Sequence, residues 1–316
     1  MMITSKTSMN GHLEVSTAAK INLHLQILGL RDDGYHELAM VMQSINLKDK
    51  LFFNINYEDK ISLKVNNPLL SNSDENLVIK AARLLRDRRS DLSQGVDIYL
   101  EKNIPIGAGL AGGSSDAAAT IKALNRLWSL CLSDSEIHEY ACLLGSDVPF
   151  CLNGGTKFCF GRGEILEQFS KDISGMGLIL IKNPALSVST PWAYNEFKRL
   201  NRHKYLLAER DFEIERDKVR NICNRNSEFL SYEYLIRNDL QSIVSENYSS
   251  VELAIDVLYN LPLKRCVAMS GSGPSCFALY HSLEDAKQDY RLSKQLIIDL
   301  GFEIWCTSLI NSPSNI

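Results

Sequence analysis

No segment of this chain stays apolar for the roughly 18 residues that a membrane-spanning helix needs, and none of its eight cysteines stands in a Cys-x-x-Cys pair. The first absence argues against membrane attachment. The second removes the usual sign of a zinc or thiol-redox centre, and cysteines inside apolar runs such as FCF and SCFAL read as buried thiols kept reduced. Basic charge is not in surplus: 34 Lys and Arg stand against 38 Asp and Glu, a net charge of −4. The basic clusters at 83–89 and 198–204 are short and interrupted, so nucleic acid is not an expected partner. The opening MMITSKTSMNGHLEVS has no apolar centre of the kind a secretory signal carries, and the expectation is a cytoplasmic protein. Proline-rich linkers and internal repeats are missing too.

What is present is a chain of 316 residues, 45% hydrophobic, longer than one core usually serves. Two domains are expected, 1–165 and 166–316, because the pattern changes across residues 160–175. From Leu13 to Ile55 apolar and polar residues alternate as in β-strands. Lys20, Asn22 and His24 then share one face, with Ile21, Leu23 and Leu25 on the other. Arg31-Asp32-Asp33-Gly34 supplies a D-G turn, after which the next strand folds back near Tyr35.

Residues 76–88 have helical apolar spacing and 96–104 read as a strand. Helices are expected again from the SSDAAA segment onward and from Ser133, which stands at capping-box spacing from Glu136. The second half reads strand, helix, strand, strand, helix, strand from Gly175 to the last strand at 302–310. Extra helices are inserted between Trp192 and Asp239. That order suggests a ferredoxin-like domain.

PIGAGLAGGSSDAAA, residues 105–119, carries the chemistry. Its Gly107, Gly109 and Gly112 have dinucleotide spacing, yet Lys102-Asn103-Ile104-Pro105 separates them from the strand and the helix that follows leads to another helix. A nicotinamide or flavin site fails on that context. A phosphate loop of the Gly-Lys-Ser/Thr type fails because no lysine follows Gly112-Gly113. What survives is narrower. Gly107, Gly109, Gly112 and Gly113 let backbone N–H groups approach an anion, a helix points its positive end at the same place, and Ser114 or Ser115 can add a donor or meet Mg²⁺. A triphosphate suits such a cradle.

This loop resembles the phosphate loop of the GHMP kinase superfamily, the galactokinase, homoserine kinase and mevalonate kinase group. AKINLHLQILGLRDDGYHEL and LGSDVPF resemble, more narrowly, the branch whose acceptor is a cytidine diphosphate ester of methylerythritol in the non-mevalonate isoprenoid route. SGSGPSCFALY, 270–280, resembles the family's third glycine-rich segment. The blocks run from Ala19 to Tyr280 in the family's order. The resemblance implies an α+β fold of two domains: a nucleotide-binding α/β domain like domain 2 of ribosomal protein S5, then a ferredoxin-like domain. It also implies ATP and Mg²⁺ as cofactors, and phosphorylation of the acceptor's 2-hydroxyl. Ala111 departs from the pattern, standing where many members have glycine; it costs little unless φ is positive there.

By the resemblance Asp147 takes the acceptor's proton and Lys20 holds Asp147 ionised and offsets charge on the transferred group. Asp147 follows a helix end and precedes Val148-Pro149, so the backbone after it is expected to be extended. The cradle is Pro105, Ile106, Gly107, Ala108, Gly109, Leu110, Ala111, Gly112, Gly113, Ser114 and Ser115, with Asn76 and Lys102 lining the adenine. Asn22, Tyr35, His36, Thr190 and Tyr194 are the implied acceptor contacts, the aromatic rings stacking on the pyrimidine. No resident metal site is expected. Another GHMP alcohol kinase, a catalytically silent nucleotide-binding protein of this fold and a dinucleotide oxidoreductase remain the rivals.

Overall fold

The computed structural model describes residues 11–68, 70, 74–88, 94–224 and 235–311, with side chains described to Ile222 in α6 (Glu209–Asn224). The expectations at residues 1–10, at Arg89, over 225–234 of the insertion and at the Cys223 thiol lie outside the described residues. Among the described residues two sheets organise the chain. The first has seven strands in the order β3-β4-β2-β1-β8, with β5 on a second stretch of β2 and β6 on β5. Its spine is the hairpin of β1 (His12–Leu30) and β2 (His36–Asn56), turned at 31–35 as the D-G signal expects. Along the edge of β2 away from β1, β4 (Gly95–Glu101) pairs with residues 50–56 and carries β3 (Ile61–Val65), while β5 (Thr156–Gly161) pairs with residues 38–43 and carries β6 (Ile165–Gln168).

Four helices belong to this half: α1 (Leu77–Asp87), α2 (Gly112–Leu127), α3 (Asp134–Leu144) and α4 (Val148–Asn153). α3 opens with the expected capping box of Ser133 and Glu136. The second sheet has the order β11-β7-β10-β9, built from β7 (Gly177–Lys182), β9 (Cys266–Met269), β10 (Cys276–Tyr280) and β11 (Glu303–Ser308). Helices α8 (Ser249–Tyr259) and α9 (Leu283–Asp299) pack on it. All three pairings are antiparallel, which is the ferredoxin-like arrangement expected from the element order.

The two halves interlock. β6 extends the first sheet to Gln168, three residues past the expected break at 165. β8 (Arg237–Asn238), which precedes α7 (Gln241–Asn247), returns from the second half to pair parallel with β1 at His24 and Leu25. One buried cluster joins Ile21, Leu23, Val41 and Phe158 of the first sheet to Leu178, Leu180 and Phe277 of the second. Sandwiched in this way, β1 is almost continuously buried from Thr17 to Gly29, where simple alternation predicts one wet face. Among its described residues the insertion includes α5 (Thr190–Asn201), a 3₁₀ turn at Arg202–Lys204, and α6. Cys151, Cys159 and Cys276 are buried, and burial pushes Cys151 up to about 12, whereas Cys131 is exposed. No helix among the described residues is long and apolar enough to cross a membrane.

Candidate active site

A cavity of about 750 Å³ is lined by β1, the turn after it, the glycine loop, the Asp147 corner and α5. Residues 105–114 of the loop all line it, and the N-terminus of α2 abuts it. Unpaired first-turn N–H groups and the helix dipole make that end a place for phosphate oxygens. The loop is tied to β1 through its backbone: Lys20 N–H donates to Leu110 O at 3.0 Å. It is tied to the second half just as closely. A Cβ on Gly109 would lie 2.3 Å from Ser270 O, so only glycine permits that approach.

Ser115 does not face the cavity. It is fully buried, its Oγ donates to Ala18 O at 2.5 Å and its carbonyl accepts from Thr17 Oγ1 at 3.0 Å. Of the two serines, Ser114 alone lines the cavity. α2 also begins earlier than the SSDAAA segment predicts, at Gly112, with Ala111 as its N-cap at φ 53° and ψ 30°. The condition under which alanine costs something is therefore met, since a left-handed non-glycine residue carries roughly 1–2 kcal/mol of strain.

Lys20 is 4% exposed overall. Its Nζ donates to Asn22 Oδ1 at 2.7 Å and Gly109 O at 3.3 Å and lies 3.3 Å from Asp147 Oδ2. Asp147 has αR geometry as the N-cap of α4, with proline in the first turn. The extended backbone expected before Pro149 is thus not found: Val148 is already the first residue of α4, and a first-turn proline costs the helix no hydrogen bond because its N–H would be unpaired there anyway. Gly271 closes the far side: a Cβ there would stand 3.4 Å from Asn22 Oδ1 and 3.6 Å from Lys20 Nζ.

Lys102 lines the cavity, but its ammonium is committed elsewhere. Nζ lies 2.6 Å from both Asp49 Oδ2 and Asp116 Oδ2 in a buried triad. Burial opposes its charge, yet the two carboxylates reverse that and raise its pKa; burial pushes Asp116 up to about 7 against the pull of Lys102. Asn76 caps α1, accepting from Val78 N–H at 3.0 Å, and lines the cavity from there.

At the other end of the cavity stand Tyr35, half exposed, and His36. The His36 and Tyr194 ring centroids are 5.2 Å apart, and Tyr205 Oη sits 2.7 Å from His36 Nε2. Burial, with help from Lys198, lowers His36 to about 4, so the ring is neutral at neutral pH. Thr190 Oγ1 is 2.8 Å from Ser272 Oγ, which joins α5 to the third glycine-rich segment at the cavity wall. A phosphate cradle, a lysine–carboxylate pair and an aromatic slot are thereby brought into one space.

The pattern of the GHMP kinases N terminal domain matches residues 76–155, and that of the GHMP kinases C terminal matches residues 215–296. A protein of Prochlorococcus marinus (strain NATL1A), called 4-diphosphocytidyl-2-C-methyl-D-erythritol kinase, is 49% identical over 294 residues, covering 93% of this chain and 92% of its own. The chain belongs to the GHMP kinases. A Synechococcus relative (strain CC9311) with the same description is 46% identical to this GHMP kinase over 302 residues, covering 96% and 97% of the two chains. The crystal structure of a 4-(cytidine 5'-diphospho)-2C-methyl-D-erythritol kinase superposes with a TM-score of 0.70 at 28% identity, covering 94% of this chain and 99% of that one. A homoserine kinase from Cytophaga hutchinsonii, 16% identical with a TM-score of 0.72 over 99% of both chains, shares the fold.

Two features of the kinase site escape a sequence reading. The first is a change of face: β1 is bulged between Asn22 and His24. Leu25, and not His24, therefore follows Asn22 into the cavity, while His24 Nδ1 turns to Leu235 O at 2.9 Å. The second is Arg162, in the Gly-Arg-Gly turn after β5, whose guanidinium covers the Tyr35 ring at 4.8 Å and lines the cavity. An arginine between glycines is a faint signal by itself; only the fold brings it to the aromatic turn.

Proposed function

We propose that this kinase transfers the γ-phosphoryl group of ATP to the 2-hydroxyl of 4-diphosphocytidyl-2-C-methyl-D-erythritol, giving the 2-phosphate and ADP. The observation that carries the reading is the position of the Lys20–Asp147 pair between the glycine loop and the aromatic slot in a single cavity. Relatives at 44–49% identity described as this kinase support the choice of acceptor. ATP is the donor throughout the family; its phosphates would meet the backbone of 107–113 and the start of α2. The pyrimidine would stack on Tyr35 and Tyr194, with its edge toward His36.

Asp147, exposed on the cavity side, would accept the hydroxyl proton as oxygen attacks phosphorus. The bond to the bridging oxygen breaks and ADP leaves with the electron pair. Lys20, 3.3 Å from Asp147 Oδ2, is positioned to orient that carboxylate and to offset charge on the transferred group. Among the described residues no group of three His, Cys, Asp or Glu side chains could hold a metal. Mg²⁺ would be carried largely on the triphosphate; Ser114, the serine that lines the cavity, would hold it, and the ion would supply charge neutralisation. A reducing, cytoplasmic setting agrees with the free thiols. Phosphorus NMR of the product tests the reading: a new phosphomonoester beside an intact diphosphate is expected, and cleavage of the acceptor's diphosphate would overturn it.

A further inference from the structure

The insertion lies against the hairpin that carries Tyr35 and His36. α6 reaches back to Glu37, whose Oε1 accepts from Arg216 Nη2 at 2.6 Å. Glu37 is only 2% exposed. Gly161 N–H donates to the same Oε1 at 3.0 Å, and Arg31 Nη1 donates to Oε2 at 2.8 Å. A carboxylate buried this deeply is costly unless charge and hydrogen bonds match it. Arg216 supplies part of that match, beside Arg31, from a distant part of the chain, its Nη1 being held by Glu209 at 2.6 Å and Glu213 at 3.0 Å.

From Glu37 the links run to each part of the aromatic slot. Arg31 also pairs with Asp33 at 3.2 Å, and Asp33 Oδ1 accepts from Tyr35 N–H at 3.0 Å. Gly161 precedes Arg162, which covers the Tyr35 ring. His36 adjoins Glu37 on β2, and its ring contacts Tyr205, just before α6. The start of this segment is seated on β1: Leu206 N–H donates to Leu28 O at 2.9 Å, and a Cβ on Gly29 would meet Leu206 O at 2.6 Å and the Phe212 ring at 2.9 Å.

We infer that the segment from Tyr205 to Arg220 is a strap that positions the acceptor-base slot, with Arg216 and Glu37 as its positioning pair for a cytidine diphosphate acceptor. The inference rests on the acceptor reading above. Neither residue lines the cavity, so both act through Tyr35, His36 and Arg162. The catalytic end is held by other elements: Lys20 by β1, Asp147 by the start of α4, and the glycine loop by Ser270, whose Oγ donates to Gly109 O at 3.1 Å. Loss of the strap's charge should therefore separate acceptor binding from ATP binding.

The test compares the wild type with Arg216→Met, Arg216→Lys and the double variant Glu37→Gln/Arg216→Met. The readouts are equilibrium binding of cytidine diphosphate and the KM values for ATP and for the cytidine acceptor. Arg216→Met is expected to bind cytidine diphosphate roughly tenfold or more weakly and to raise the acceptor KM in step, because it removes one of the two guanidinium partners of a buried carboxylate and leaves Arg31 alone to match it. The KM for ATP and kcat at saturating acceptor stay within about twofold. The lysine variant falls between, and the double variant regains most of the affinity because the under-compensated buried charge is gone. Where Arg216→Met fails to fold, those two variants carry the comparison. Unchanged cytidine diphosphate binding, or equal losses for both nucleotides, overturns the strap. A wild type that binds cytidine diphosphate but does not phosphorylate the acceptor overturns the reaction and leaves the strap to stand or fall on affinity. A wild type without that binding overturns both.

Discussion

Lys20 Nζ lies 3.3 Å from Asp147 Oδ2, and their side chains are 5% and 32% exposed. The asymmetry supports the division of work proposed for them. The lysine is held in place, its Nζ bonded to Asn22 and the Gly109 carbonyl, whereas the carboxylate opens onto the cavity where a hydroxyl can reach it.

Asp147→Asn should consequently lower kcat by roughly 10²-fold or more, the range of a general base, while ATP affinity stays nearly intact. Lys20→Met should lower kcat on the same scale. Pre-steady-state phosphoryl transfer and nucleotide binding separate the two effects. Normal turnover in Asp147→Asn would remove the role given to that residue.

Ala111 should be a point of stored strain. Replacing it with glycine removes the left-handed penalty at φ 53° and loses part of the gain to unfolded-chain entropy. Ala111→Gly is expected to stabilise the protein by roughly 0.5–1 kcal/mol, read as a higher Tm in thermal unfolding. A lower Tm would mean that the Ala111 methyl packs more favourably than its backbone geometry costs.

Gly109 makes the opposite case. Gly109→Ala places a methyl 2.3 Å from Ser270 O at φ 72°. The loop or the third glycine-rich segment must shift, at a cost of roughly 2 kcal/mol or more, and turnover should fall with it. Denaturant unfolding beside steady-state kinetics checks both parts. A variant as stable and active as the wild type would show that the two segments slide independently.

The loop, the Lys20 strand and the Asp147 corner were legible because each combines a backbone need with a chemical one over a few consecutive residues. The ferredoxin-like half was legible from element order alone. Ser115 and His24 were not. A hydroxyl beside the cradle turns inward because α2 starts at Gly112, and a bulge inverts the face of β1 after Asn22. Lys102 is expected beside the adenine, and its ammonium is instead taken by Asp49 and Asp116, 53 and 14 residues away. Arg162 and Arg216 depend wholly on long-range packing, which no local pattern encodes.

His36 gives a pH signature. Its pKa is lowered to about 4, chiefly by burial, against an ordinary 6.5. Between those values the unfolded chain binds the extra proton, so this group's contribution to stability falls as pH drops from about 6.5 toward about 4 and is level above. The acceptor KM should be flat from about pH 6 to 8 and rise only as pH approaches about 4. A rise in KM centred near 6.5 and absent from a His36→Asn variant would mean that the imidazole is exposed and charged in the working enzyme.

The most direct measurement is ADP release by the purified protein with Mg-ATP, comparing the diphosphocytidyl methylerythritol acceptor with mevalonate, homoserine and galactose. Release with the cytidine compound alone is the predicted result, since the phosphate cradle and the aromatic slot open into one cavity around Lys20 and Asp147. Release with another alcohol and none with the cytidine compound would contradict the account, leaving the fold and the catalytic pair but removing the roles given to Tyr35, His36 and Tyr194.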